Sequence, residues 1–357
     1  MSEQKTSYLE DGTVLTREDV DRLSGGARRT MTSFTIPEGV TRIGGGAFRY
    51  CDQLISVTIP DSVTSIEAWA FHDCKSLTSI TIPASVTSIG AWAFHGCTGL
   101  TSITIPDSVT SIGHDAFLGC TGLTSVTIPS SVTSIGYRAF DGCASLEAII
   151  VVKNNPVYCA QGGILFNKEK TVLLCCPPKA VRNCYYIPNS VTSIGNDAFY
   201  GCASLTSVTV PASVTNIGFR AFSDCANLAE IIVAEENPAH CSVDGFLFSK
   251  DKTDLLRCPP KAVKDHYDIP SGVTAIEDWA FDGCASLTSV MIPDSVDYIG
   301  DEAFRNCTSL TSVTIPDSVR YIGVDAFNDC DQLTAIVQPD SYAEAYCWEN
   351  DFPTKQA

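Results

Sequence analysis

Ile105-Pro-Asp-Ser-Val-Thr-Ser-Ile-Gly-His-Asp-Ala-Phe-Leu-Gly-Cys-Thr-Gly-Leu-Thr-Ser-Val-Thr127 is one of ten near-copies of the same unit. The units open with Ile-Pro or Val-Pro at Ile36, Ile59, Ile82, Ile105 and Ile128, then Ile187 and Val210, then Ile269, Ile292 and Ile315. Within each run the spacing is 59 − 36 = 23 positions. A period in the twenties is the mark of a solenoid, whose units are too small to bury an apolar face alone and are stable only when stacked. The repeat therefore overrides the two or three globular domains that 357 residues would otherwise suggest, and one quasi-linear domain is expected.

Within one unit the apolar residues are Leu100, Ile103, Ile105, Val109, Ile112, Ala116, Phe117 and Cys120. Alternation in Thr101-Ser-Ile-Thr-Ile105 has period two, so a short strand turns Ile103 and Ile105 inward and Ser102 and Thr104 outward. Pro106 stops the ladder because it has no N–H to donate. Ser108 to Ile112 reads as a second extended piece on another wall. Gly113 suits a turn that needs positive φ, and Asp115 to Cys120 reads as one helical or 3₁₀ turn. Each large inward side chain contributes roughly 1.5–3 kcal/mol, which offsets the ordering of a rung only when both of its faces are covered. Caps are thus required. Thr16-Arg-Glu-Asp19, with Leu15 and Val20 as a staple, predicts a helix over 16–23, and Ser341-Tyr-Ala-Glu344 predicts another over 341–350 with Tyr342, Ala345 and Tyr346 on its apolar stripe. The expected organisation is a capping segment over 1–35, an array over 36–337, and a capping helix and tail over 338–357.

Two excursions interrupt the array near 152–186 and 234–268. From Ile128 to Ile187, and again from Val210 to Ile269, is 59 positions, one repeat plus 36 residues. The two are copies of each other: Asn155-Pro156, Gly163 to Phe166 and Cys176-Pro-Pro-Lys-Ala180 align with Asn237-Pro238, Gly245 to Phe248 and Cys258-Pro-Pro-Lys-Ala262. Each reads as a β-hairpin turning at Asn167–Lys170 or Ser249–Lys252. Ile150 and Ile232 replace the usual outward Thr just before them, as though each hairpin covered that spot. Ten of the 17 cysteines, among them Cys97, Cys120 and Cys143, share one slot and read as a buried packing column. An odd total fits a reducing compartment. Cys159 with Cys176, and Cys241 with Cys258, are both 17 apart, a spacing open to a disulfide, to half a metal site or to simple duplication.

A net charge of −18 argues against nucleic acid and anionic membrane surfaces as partners. Apolar runs such as Ala148–Val152 are too short to span a bilayer, so membrane insertion is not expected. The opening Met1 to Glu10 lacks the pattern of a leader peptide. As written the chain reads as cytoplasmic, or as surface-exposed or secreted where a leader has been removed.

The Ile-Pro, Ser-Val-x-x-Ile-Gly, Ala-Phe and Cys-x-x-Leu signature resembles the BspA-type leucine-rich repeats, over nearly all of Phe34 to Val337 and including the Gly-x-Leu-Phe-Asn-Lys insertions. The resemblance implies an α/β-type solenoid, a right-handed curved array with a parallel β-sheet on its concave face and short strands and 3₁₀ or helical turns on the other walls. It also implies adhesion or protein binding, often on the surfaces of microbes, and it carries no shared catalytic residues.

No catalytic constellation is present. Gly44-Gly45-Gly46 lacks the ending of a phosphate loop, neither Gly-x-Ser-x-Gly nor His-Glu-x-x-His occurs, and no cofactor is called for. Asn306-Cys-Thr308 matches a glycosylation acceptor but contains core Cys307. The candidate surface is the outward hydroxyl ladder Ser79, Thr81, Ser102, Thr104, Ser125 and Thr127, continued by Ser56/Thr58, Ser207/Thr209 and Ser312/Thr314. It suits a partner's backbone or a glycan, although β-propensity selects the same residues. Trp69 and Trp92 share one slot on adjacent rungs, as do Tyr298 and Tyr321, and each pair is a candidate anchor. His72 and His95 also share a slot, beside Asp73; two imidazoles at strand spacing can share a metal, but the motif brings no third strong ligand, and no metal ligands are assigned. The leading expectation is a non-enzymatic scaffold that binds a protein on the hydroxyl-rich face. A cell-surface adhesin for protein or glycan is the alternative, and a hydrolase or metal enzyme the least favoured.

Overall fold

The structure is a computed structural model that describes residues 13–357, so the opening stretch used above to judge a leader lies outside the described residues. The chain parts into two compact units, Met1–Ala180 and Val181–Ala357, and the boundary falls inside the first excursion.

In the first unit every rung contributes one strand to each of two parallel ladders. The face strands Ser79–Thr81, Ser102–Thr104, Ser125–Ile128 and Ala148–Val151 pair residue for residue, Ser79 with Ser102, Ser102 with Ser125 and Ser125 with Ala148. A two-stranded ladder of Ser33–Thr35 and Ser56–Thr58 precedes them. On the wall, Val14–Leu15, Arg42–Ile43, Ser65–Ile66, Ser88–Ile89, Ser111–Ile112 and Ser134–Ile135 form a six-stranded parallel sheet. Between the ladders lie columns of identical side chains. Phe48, Phe71, Phe94, Phe117 and Phe140 stack nearly parallel with ring centroids 5.0–5.6 Å apart. The cysteine column is buried as expected, and it also bonds: the thiols of Cys97 and Cys120 each donate to the carbonyl of Phe71 and Phe94 at 3.1 Å. Each of these carbonyls already accepts a backbone N–H, from Cys74 or Cys97, so the weak S–H is a second donor, a contact that Ala or Val in the slot cannot make.

The third side of the rung, expected as one helical or 3₁₀ turn, is a run of i→i−3 turns, Leu118 N–H donating to Asp115 O and Cys120 N–H to Phe117 O, and not a continuous helix. Asp115 has φ 54° and Gly119 φ 71°, left-handed backbone at two positions four residues apart that interrupts any regular helix. Alternate amides turn outward instead and bond the next rung, Asp115 N–H to Tyr137 O, Phe117 N–H to Ala139 O and Gly119 N–H to Asp141 O. This side is thus a third ladder. Gly113 also differs from expectation, since it has no positive φ. A Cβ there would strike the backbone of Gly90 and Ala91 one rung back. Close approach of stacked backbones, rather than turn geometry, reserves the slot for glycine.

Helix α1 (Arg17–Leu23) forms where predicted, with Thr16 and Asp19 completing the capping box. The excursion carries three antiparallel strands, Tyr158–Gln161, Ile164–Asn167 and Val172–Cys175. The turn at Asn167–Lys170 is joined by a tight one at Gly162-Gly163, both at positive φ, the type I′ geometry that suits a two-residue hairpin. This first turn approaches Ala148 and Glu147, not Ile150. Ile150 consequently stays 50% exposed and Ile232 42%, against the expectation that the hairpins cover them.

The second unit repeats the design. A five-stranded parallel sheet holds His266–Asp268, Ser289–Met291, Ser312–Ile315, Thr334–Val337 and Thr354–Gln356. The second excursion forms His240–Val243, Phe246–Ser249 and Asp254–Arg257, the last pairing with Ala275–Ile276 on the wall ladder. Helix α2 (Tyr342–Glu349) is capped by Ser341, whose hydroxyl accepts from Glu344 N–H. Its buried face is Ala343 and Cys347, four residues apart, with Tyr342 and Ala345 outside it, so the stripe is rotated from the predicted one.

Candidate functional site

Ser79, Thr81, Ser102, Thr104, Ser125 and Thr127 are all exposed, in register, and separated by inward Ile80, Ile103 and Val126. The Thr column runs on to Ile150, which pairs with Thr127. In the second unit the ladder is less open. Ser207, paired in register with Cys184 and Glu230, is buried, and Ser312 and Thr314 are half-buried. The free hydroxyl strip is therefore a property of the first unit.

Trp69 and Trp92 stack at 5.3 Å in the turn ladder. The Arg49 guanidinium lies 5.5 Å over Trp69, and the His114 ring meets Trp92 edge-on at 3.9 Å. Most of this aromatic area is thus committed to intramolecular packing, with Trp69 the exposed member of the pair. Tyr298 and Tyr321 stack at 5.1 Å and lie 6° from parallel. Burial and then the Asp278 carboxylate push the Tyr298 hydroxyl up to about 12, and Asp301 raises that of Tyr321. Both phenols stay protonated at neutral pH, and the Tyr298 hydroxyl donates to Asp278 Oδ1 at 3.4 Å, so the pair presents ring faces more than free O–H groups.

A cleft of about 420 Å³ opens in the second unit, within the roughly 300–1,000 Å³ usual for small-ligand sites. Phe219, Arg220, Trp279, Asn216 and Arg257 are among the residues that line it. The Arg257 side chain is 5% exposed and donates to the carbonyls of Trp279, Phe222 and Asp282, which fixes a positive charge in the wall. Burial holds the nearby Asp282 carboxyl above its usual range despite Arg257. Glu277 on the rim is raised by burial and by Asp254 and Asp278. Reading the sequence alone overlooked this cleft. The available signal was the exchange, between the two copied excursions, of Cys175 for Arg257.

The cysteine pairs 17 apart do not meet. Cys159 and Cys241 donate to the carbonyls of Asn167 and Ser249 at 3.1 and 3.2 Å, while Cys258 Sγ lies 3.4 Å from Cys284 in the core column. No disulfide joins cysteines among the described residues. No helix among the described residues is long and apolar enough to cross a membrane.

Strand, wall and turn ladders stacked over shared columns of Leu, Phe and Cys define a leucine-rich-repeat solenoid. The chain belongs to the BspA-type leucine-rich-repeat family, whose model matches six copies over residues 27–151, 182–251 and 264–351. A leucine-rich cell surface protein of Faecalibacterium prausnitzii is 32% identical over 92% of this chain and 83% of that one, with a TM-score of 0.58. The pneumococcal vaccine antigen PcpA is 22% identical over 91% and 79%, with a TM-score of 0.57. A leucine-rich-repeat protein of Eubacterium ventriosum is 24% identical over 83% and 88%, at 0.54. The last two support the fold alone. No match was found among curated proteins.

Proposed function

We propose that the protein is a non-enzymatic binding scaffold that docks a protein partner on the outward strand face of its first unit. One observation carries this reading: six exposed hydroxyls from Ser79 to Thr127 form an uncharged, in-register strip on a chain of net charge −18, and exposed Ile150 lies at its end. Hydroxyls at strand spacing match the donors and acceptors of an extended partner, and the terminal Ile supplies apolar area. Immobilised protein bearing Thr104→Lys and Thr127→Lys should capture less of whatever protein the natural chain retains. Undiminished capture would remove that face from consideration. Similarity to a leucine-rich cell surface protein supports a second reading, a surface adhesin. Antibody staining of intact, unpermeabilised source cells tests it, and signal only after permeabilisation rejects it.

A further inference from the structure

The turn ladder of the first unit brings together three side chains, His72, Asp73 and His95. His72 and His95 stack with ring centroids 4.5 Å apart, and Asp73 Oδ2 lies 3.1 Å from His72 Nδ1. One donor atom from each of the three falls within 4.8 Å of the other two. Backbone bonds hold them there: Phe71 N–H donates to Ala93 O, and Asp73 N–H donates to His95 O at 2.7 Å. Gly96, which follows His95, leaves room for the Asp73 carboxylate, since a Cβ at that position would strike Asp73 Oδ1. Most rungs end this turn without His in the slot; only these two adjacent rungs carry it.

Two features point to a ligand rather than to packing alone. The Nδ1 atoms of both His72 and His95 are buried and make no hydrogen bond, an expensive condition for an imidazole. The approach of His72 Nδ1 to Asp73 is close but not aligned as a hydrogen bond. A shared cation satisfies all three groups at once.

We propose that His72, Asp73 and His95 form a binding site for a borderline divalent transition-metal ion, with Zn²⁺ as its probe. Two imidazole nitrogens and one carboxylate are a donor set suited to Zn²⁺, Ni²⁺ or Cu²⁺ and not to Mg²⁺ or Ca²⁺, which take oxygen ligands. Three protein ligands leave a fourth position open for water or for a group on a partner. Zn–N and Zn–O distances of about 2.0–2.2 Å draw the donors closer than they stand. The imidazole χ2 is a broad torsion, so ring rotation is the motion available to bring the nitrogens in. The acidic chain concentrates cations around the site.

The test uses full-length untagged protein, stripped with chelator and kept reduced, titrated with Zn²⁺ by calorimetry and with Co²⁺ by visible absorption. The expected result is one ion per chain, a cobalt spectrum of nitrogen and oxygen ligation without thiolate charge transfer, and at least about tenfold weaker binding in His95→Gln and in Asp73→Asn. His114→Gln should bind as the natural protein does. Because a variant can fail to fold, the unmodified protein gives a parallel reading: Zn²⁺ should protect His72 and His95 from diethylpyrocarbonate, scored by peptide mass, and leave His266 reactive. No binding, a thiolate band from the cysteines, undiminished affinity in His95→Gln, or unprotected His72 and His95 would each overturn the site.

Discussion

Gly90 and Asp325 separate two backbone constraints within a rung, close approach and left-handed φ. A Cβ on Gly90 would stand 2.6 Å from Ala68 N and 2.6 Å from the carbonyl carbon of Glu67, so stacking itself excludes a side chain there. Asp325 occupies the left-handed region at φ 52°, where L-residues lose roughly 1–2 kcal/mol. Gly90→Ala should lower unfolding stability by about 1–3 kcal/mol as rungs are forced apart, while Asp325→Gly should be neutral or slightly stabilising. Urea midpoints decide, and a Gly90→Ala midpoint equal to that of the natural chain would show that the rungs accommodate a Cβ at the slot. The thiols give a second residue-scale prediction. Burial pushes Cys143 up to about 12 and Cys347 to about 11, whereas an unfolded thiol titrates near 8.5. The folded chain therefore holds protons that the unfolded chain releases, so this stability is complete below about pH 8.5 and is lost as pH rises toward 11 to 12. The slope approaches about 1.36 kcal/mol per pH unit for each such thiol. Cys143→Ala should make the alkaline decline shallower whatever it does to stability at pH 7, and an unchanged slope would show that Cys143 plays no part.

Each excursion is fastened at one buried asparagine. Asn237 Nδ2 donates to Pro211 O at 2.9 Å and Val214 O at 2.8 Å, while its Oδ1 accepts from Ala239 and His240 N–H; Asn155 does the same with Pro129, Val132, Val157 and Tyr158. Asn237→Asp keeps the acceptor but leaves two carbonyls facing a carboxylate. At roughly 1–3 kcal/mol for each buried group left unpaired, a loss of about 2–5 kcal/mol is expected from urea unfolding; a loss under 0.5 kcal/mol would show that water substitutes for the amide. The copied Asn-Pro pairs were visible in the sequence, but their role was not, because it depends on carbonyls 23 to 26 residues earlier in the chain. Strand positions, inward columns, the α1 capping box and the turn at Asn167 were legible because period and local chemistry determine them. The exposure of Ile150 and the third ladder were not, since they depend on how one rung lies against the next, whereas the Gly162-Gly163 turn was overlooked although its Gly-Gly pair is a local hairpin signal. Asp73 was visible beside His72, but its approach to His95 was not, because a backbone bond between rungs sets it.

At the scale of the molecule, a stack of rungs is only as stable as its ends, because an uncovered last rung exposes both an apolar face and a row of unpaired backbone groups. At the C-terminal end, Thr354–Gln356 pairs with Ala335–Val337, and Tyr346 and Phe352 lie against Phe327. Ending the chain at Gln338 removes all three covers at once. The Thr334–Val337 strand then becomes an open edge beside exposed Phe327 and Leu333, a template for a second copy. The truncated protein should unfold at lower urea than the full chain and should self-associate by light scattering at concentrations where the full chain does not. Adding Ile336→Lys to the truncated chain should suppress the association, because a lysine on an edge strand blocks pairing without restoring the lost cover. Suppressed association with stability still low would assign the two effects separately, one to the open edge and one to the uncovered core. A truncated chain as stable and as dispersed as the original would mean that the last rung closes itself, and that residues 339–357 serve some purpose other than capping.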